Sequence, residues 1–282
     1  MMSLHRLSAG AGYQYLLRHT ACGDVRRASS TPLTAYYTES GYPPGRWLGC
    51  GLAGVEVRLG SAATELQMAR LFGEGCDPLT GQALGRSYPK FRALADRIAD
   101  LVDALPAALE APERADHIAK IRTRESSRPS PCAVAGFDLT FTVPKSASVL
   151  WALADPTVQE AVAEAHRAAM NDAMTLFEER ALFTRTGAAG CAQVPTRGML
   201  ATAFDHWDTR TGDPNLHTHV VVANKVQGAD GKWRSLDSRA LHHAAVAVSE
   251  LYDTAFADEL GRRLPVRNVS SGLRQLCSRC SV

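Results

Sequence analysis

The chain has 282 residues, of which 45% are hydrophobic and 21% charged, an ordinary balance for a folded protein that excludes wholesale disorder. Lys and Arg number 31 against 29 Asp and Glu, so the formal net charge is +2, too near neutral for a polybasic nucleic-acid binder. Any nucleic-acid surface has to be a local patch. The longest clean apolar stretch, Val149 to Ala154, is far below the ~20 residues of a membrane span. The N-terminus lacks the hydrophobic core of a signal peptide, so a cytoplasmic location is expected. Seven cysteines at 22, 50, 76, 132, 191, 277 and 280 form an odd, scattered set, which predicts free thiols. Cys277 and Cys280 make a lone C-x-x-C with no matching second pair, and read as ordinary tail cysteines.

Along the chain, the first 60 residues are rich in Gly, Tyr and Ser, with a turn at Tyr42-Pro43-Pro44-Gly45. A short helix is predicted over Thr64 to Phe72, closed by Gly73, Gly75 and Asp77-Pro78. Phe91, Leu94, Ile98, Leu101, Val102 and Leu105 recur at helical spacing until Pro106. Residues 107 to 131 are charged and end in Ser126-Ser127-Arg128-Pro129-Ser130-Pro131, the pattern of a flexible connection. Val134 to Val143 alternates late in its course, which predicts a half-buried strand with Asp138, Thr140 and Thr142 on its polar face.

Asp155 and Pro156 then open a helix as N-cap and first-turn residue, with an apolar stripe from Val158 through Phe177. Two strand-like runs, Met199 to Trp207 and Leu216 to Ala223, flank the turn-rich loop Thr211-Gly212-Asp213-Pro214-Asn215. After a turn at Asp230-Gly231, a long helix is expected from Ser238 to Leu260, ended by Gly261. The mixed order of elements predicts an α+β fold with a largely antiparallel central sheet.

The sharpest feature is His206 followed by Leu216-His217-Thr218-His219. Residues two apart on a strand share a face, so His217 and His219 project side by side. The intervening turn lets the His206 run fold back antiparallel, and three imidazoles then converge on one divalent ion. Three neutral nitrogens leave positions open on the ion, the arrangement that catalysis requires. His242-His243 opens a helix, where neighbours diverge by about 100°, and reads as an ordinary pair. Asp138 can orient an imidazole through its second N–H or accept a proton.

Five of the seven tyrosines, Tyr13, Tyr15, Tyr36, Tyr37 and Tyr42, fall in the first 42 residues. A phenol has a pKa near 10 and needs help to act as a nucleophile at neutral pH. A cation that neutralises a phosphodiester supplies that help. Tyrosine plus a histidine-bound metal is therefore a sensible kit for nicking and rejoining DNA.

The run Gly136-Phe137-Asp138-Leu139-Thr140-Phe141-Thr142-Val143-Pro144-Lys145-Ser146 resembles the signature of TrwC-type, MobF-class conjugative relaxases. His206 with Asp213-Pro214-Asn215-Leu216-His217-Thr218-His219 resembles their three-histidine motif, that of the HUH nucleases. Arg46-Trp47-Leu48-Gly49 and Asp230-Gly231-Lys232-Trp233-Arg234 agree with it, and the likeness covers roughly residues 3 to 265.

The resemblance implies an HUH relaxase fold, an antiparallel sheet with helices packed on one side. It implies nicking and strand transfer at a transfer origin, through a 5′-phosphotyrosyl link and a free 3′-OH. The partners it implies are single-stranded and hairpin DNA, other relaxosome proteins and a coupling protein. His206, His217 and His219 would hold Mg²⁺ or Mn²⁺, and Asp138 would orient a His or take the phenolic proton. The first nucleophile would be Tyr13 or Tyr15, with Tyr36 and Tyr37 serving a later transfer step.

Full-length relatives carry a helicase after the relaxase, whereas no G-x-x-x-x-G-K-[ST] loop occurs here. The expectation is a truncated chain: a relaxase domain over 1–265 and a divergent, disordered tail over 266–282. The stretch from 261 to 282 holds five Arg and no acid. DNA contacts are sought at Lys120, Arg122, Arg124, Arg128, Lys145 and Arg197. Two alternatives compete: a non-catalytic fragment that still binds origin DNA, and a three-histidine hydrolase of unrelated substrate.

Overall fold

The computed structural model describes residues 1–18, 43–128, 131–209 and 211–264. Tyr36, Tyr37, Tyr42, Cys22, Cys277, Cys280 and the tail 266–282 lie outside them. In chain order the strands are β1 (Met2–Ser8), β2 (Arg46–Leu48), β3 (Val134–Thr142), β4 (Phe183–Thr186), β5 (Ala192–Pro195), β6 (Ala201–Asp208), β7 (Pro214–Ala223), β8 (Val226–Gln227) and β9 (Trp233–Arg234). Five of them form one sheet in the order β1-β3-β7-β6-β2, and every neighbouring pair is antiparallel. The predicted hairpin is β6–β7, with the predicted α+β class around it.

The helices are α1 (Gln14–Arg18), α2 (Glu65–Met68), α3 (Leu94–Asp103), α4 (Ala111–Ser127), α5 (Lys145–Leu153), α6 (Pro156–Ala181) and α7 (Ser238–Arg263). Asp155 caps α6 as expected, its carboxylate accepting from the N–H groups of Thr157 at 2.9 Å and Val158 at 3.2 Å. Burial of Val162, Ala165, Ala169, Ala173 and Phe177 at helical spacing seats α6 on the sheet. Leu241, Val248, Tyr252 and Phe256 do the same for α7. The sheet contributes Phe137, Leu139, Phe141, Val220 and Val222 to that core.

The opposite face carries shorter pieces. Thr64 and Gln67 form a reciprocal capping box at the start of α2, which runs on into a π-helical turn, Ala69–Glu74, ended by left-handed Gly75. Phe72 of that turn packs where β3 has Gly136: a Cβ at Gly136 would lie 3.2 Å from Phe72 Cε1 and 2.5 Å from the Val222 carbonyl oxygen. β3 is therefore covered on both faces, and Asp138 is only 3% exposed. The half-buried strand of the sequence reading becomes an interior one, because its polar side faces a site rather than water.

Two further expectations are corrected. Residues 111–127 form α4 rather than a flexible connection. Charged residues conceal it in the sequence, but Glu125 joins it to α3 through Arg97 at 3.3 Å and closes its last turn on Arg128 at 2.9 Å. Gly261 does not end α7, which runs to Arg263. A glycine there is tolerated because Arg263 pairs with Glu259 across the last turn and Leu264 is buried in the core. The chain divides into two compact units, Met1–Ser87 with Val134–Val282, and Tyr88–Ala133. Cys50, Cys76 and Cys191 are free thiols. Among the described residues, no helix is long and apolar enough to cross a membrane.

The close approach at Gly136 yields a test. Gly136→Val is expected to cost about 1–3 kcal/mol of stability by overpacking. A urea unfolding midpoint equal to that of the unchanged chain would contradict the fold described here.

Candidate metal centre and tyrosine site

β6 and β7 pair so that His206 stands directly opposite His217, and Phe204 opposite His219. Alternation then places all three imidazoles on one face of the hairpin. Their ring centroids lie 5.1–5.2 Å apart, and each offers a nitrogen within 4.8 Å of the other two. Among the described residues, no other group of three His, Cys, Asp or Glu is so placed.

The second nitrogens are taken up by oxygens. His217 Nδ1 donates to the Asn215 carbonyl at 2.6 Å. His219 Nδ1 donates to both Asp138 oxygens, at 3.0 and 2.9 Å, with Thr140 Oγ1 also 3.0 Å away. These bonds fix the tautomer of both rings and leave Nε2 bare, as a metal-binding imidazole requires. Burial holds His217 below the usual imidazole range, so it is a neutral donor at pH 7. Neutral nitrogen donors, oriented by outer hydrogen bonds and part-buried, fit a divalent cation.

Of Tyr13 and Tyr15, the early tyrosines among the described residues, Tyr15 is the one brought to this face. Its hydroxyl hydrogen-bonds Asp138 Oδ2, and its ring meets His219 edge-on with centroids 6.0 Å apart. Tyr13 lies two residues earlier at the start of the same helical segment, where i and i+2 point apart. It is buried at 5% exposure beside Gly73 of the π turn. Burial, and then the negative charge of Asp138, push the Tyr15 phenol well above its ordinary value. Asp138 thus touches both the tyrosine and a histidine, as its position on interior β3 allows.

Five of the six basic residues expected at DNA have contacts within the protein. Lys145 Nζ donates to the Pro214 carbonyl at 2.8 Å, and Arg197 to the Ala229 carbonyl at 3.0 Å. Lys120 pairs with Asp116, while Arg124 and Arg128 face Glu125. His242 packs edge-on against Phe137. Sequence reasoning missed the supporting roles of Asn215 and Thr140. Both lie inside the two motifs, and the signal available was their i+2 spacing to His217 and to Asp138.

A cation-binding test follows from the geometry. Mn²⁺ at about a hundredfold excess over its Kd stabilises a site that exists only in the folded chain by about 2.7 kcal/mol. His219→Ala is expected to weaken Mn²⁺ binding by at least about tenfold in a calorimetric titration. Equal affinity in the variant would remove His219 from the site.

With the site described, comparison with known proteins is informative. Over 104 residues the chain is 39% identical to the multifunctional conjugation protein TraI of Escherichia coli, covering 36% of this chain and 6% of that protein. The corresponding protein of Escherichia coli strain K12 is 38% identical over 104 residues, with the same coverage. The chain thus spans a small fraction of the curated relatives it matches. The conjugative relaxase TrwC, solved in complex with OriT DNA in a metal-bound form, superposes with a TM-score of 0.58 at 21% identity. That match covers 93% of this chain and 70% of that one. The metal-free complex gives 0.56 at 20% identity, with the same coverage. At such identity these structures establish the shared fold. The TrwC relaxase family model matches residues 9–275, nearly the whole chain, and the chain belongs to that family.

Proposed function

We propose that this chain is a relaxase: a metal-dependent endonuclease and transesterase that nicks one strand of DNA at a transfer origin. The observation that carries the reading is the unbroken line from the Tyr15 hydroxyl through Asp138 to His219. It supports catalysis over mere DNA binding, because nucleophile, proton acceptor and metal ligand are already assembled. Family membership and the TrwC fold support the same reading.

In the proposed reaction the Tyr15 oxygen attacks the scissile phosphorus. The bond from phosphorus to the 3′ oxygen breaks and the departing oxygen takes a proton from solvent, leaving a free 3′-OH and a 5′-phosphotyrosyl link. Asp138 receives the phenolic proton as the attack proceeds, and its hydrogen bond fixes the direction of the phenol oxygen. His206, His217 and His219 would hold a divalent cation, which would supply charge neutralisation at the phosphate. Mg²⁺ or Mn²⁺ is the proposed ion. The phosphotyrosyl bond retains the energy of the bond it replaced, so rejoining by the 3′-OH needs no ATP.

Tyr36 and Tyr37, outside the described residues, are proposed for the later transfer step on their sequence alone. Residues 1–265 are proposed as the relaxase domain. Single-stranded and hairpin origin DNA, relaxosome proteins and a coupling protein are the proposed partners.

The test incubates the chain with Mn²⁺ and a randomised single-stranded DNA library, then resolves covalent adducts on a denaturing gel. Tyr15→Phe is expected to abolish the adduct while Tyr13→Phe retains it; the reverse pattern would overturn the assignment. Asp138→Asn keeps the shape but loses the proton acceptor, and is expected to slow adduct formation by about 10²–10⁴-fold. An unchanged rate would exclude Asp138 from proton transfer.

A further inference from the structure

Behind the histidines, on the helix side of the sheet, lies a row of buried polar groups that the proposed reaction does not use. Thr218 sits between His217 and His219 with its side chain on the opposite face, fully buried. Its hydroxyl donates to Asp205 Oδ1 at 2.6 Å and lies 2.8 Å from His166 Nε2. His166 Nδ1 is 2.7 Å from the Tyr252 hydroxyl, and the far oxygen of Asp205 is ion-paired with Arg46. The row joins α7, α6, β7, β6 and β2.

Counting protons gives the row a direction. A hydroxyl has one hydrogen, and Thr218 gives its own to Asp205. Toward His166 it can only accept, so Nε2 carries the imidazole hydrogen. A neutral ring then has a bare Nδ1, which accepts from Tyr252. Burial pushes His166 down to about 4, so the ring is neutral at pH 7. Each donor therefore meets an acceptor, from Tyr252 to the carboxylate.

We infer that this row is a positioning device for the three-histidine site, with His166, Tyr252 and Thr218 acting through the strands that bear the ligands. The inference rests on the reading of those histidines as a cation site. Asp205 and Thr218 are cross-strand partners directly beside the His206–His217 pair, so their bond locks the register that brings three rings together. Catalytic and metal-binding groups tolerate only about 0.5 Å of displacement. An apolar filler would pack the same volume without fixing the rotation of β7. A buried polar row, fully satisfied, specifies one arrangement.

The test measures Mn²⁺ affinity of the full chain by electron paramagnetic resonance of the free ion, beside urea stability. Tyr252→Phe is expected to weaken binding about threefold, and Thr218→Val about tenfold, since outer-shell partners commonly matter by 10–100-fold and these lie one step further out. Phe256→Leu, a core change stacked on Tyr252, is the control: it is expected to lower stability while leaving Kd within about twofold. Unchanged Kd in Tyr252→Phe and Thr218→Val would overturn the positioning role. An equal loss of affinity in Phe256→Leu would overturn it too, reducing the row to general stability. If the unchanged chain binds no Mn²⁺, the cation reading itself falls and this inference with it. A nitrogen-15 spectrum gives an independent check: His166 is expected to carry its hydrogen on Nε2, and a hydrogen on Nδ1 alone would contradict the row.

Discussion

One carboxylate organises the site. Asp138 is buried on β3, an interior strand of the sheet, and its two oxygens accept from the Tyr15 hydroxyl and from His219. Such a group is costly to bury unless its hydrogen bonds are satisfied. The tyrosine segment and the histidine hairpin satisfy it from two sides. The constraint works in both directions: the phenol is held beside the three histidines because the carboxylate is there, and the imidazole presents Nε2 because its Nδ1 is taken. Remove the charge, and both the proposed nucleophile Tyr15 and the proposed ligand His219 lose their orientation together.

The sheet makes this possible by giving its two faces different work. On one side, α6 and α7 bury a continuous apolar layer that supplies most of the driving force for folding. On the other, short helical turns leave room for the histidines, Asp138 and Tyr15. The hairpin β6–β7 belongs to both sides, its odd-numbered β7 histidines facing the chemistry while Leu216, Val220 and Val222 anchor it in the core. Rigid support behind and open chemistry in front is the arrangement a preformed catalytic site needs.

Much of this was legible in the sequence, for physical reasons. The period-two spacing of His217 and His219 and the turn before them define a shared face, and pairing of β6 with β7 delivered His206 opposite His217. The Asp155 cap of α6 and the apolar stripes of α6 and α7 are local signals and legible in the sequence, whereas the Asp237 cap of α7 and its end beyond Gly261 are not. Less legible were features set by distant partners. β1 and α4 carry no clear period of their own; one is specified by pairing with β3, the other by charge pairs around Glu125. The choice between Tyr13 and Tyr15 was open because spacing alone does not say which side of a short helical segment meets the sheet. The row from Tyr252 to Arg46 spans five elements and more than 200 residues of chain, so no local pattern reveals it.

The central claim is that Tyr15, held by Asp138, is the group that takes the phosphate. Fragment-ion sequencing of the peptide left on DNA after trapping the adduct tests it most directly. The DNA-derived mass is predicted on Tyr15, within the segment Leu7 to Arg18. Finding that mass on Tyr13, or on Tyr36 or Tyr37 as the first acceptor, would contradict the account.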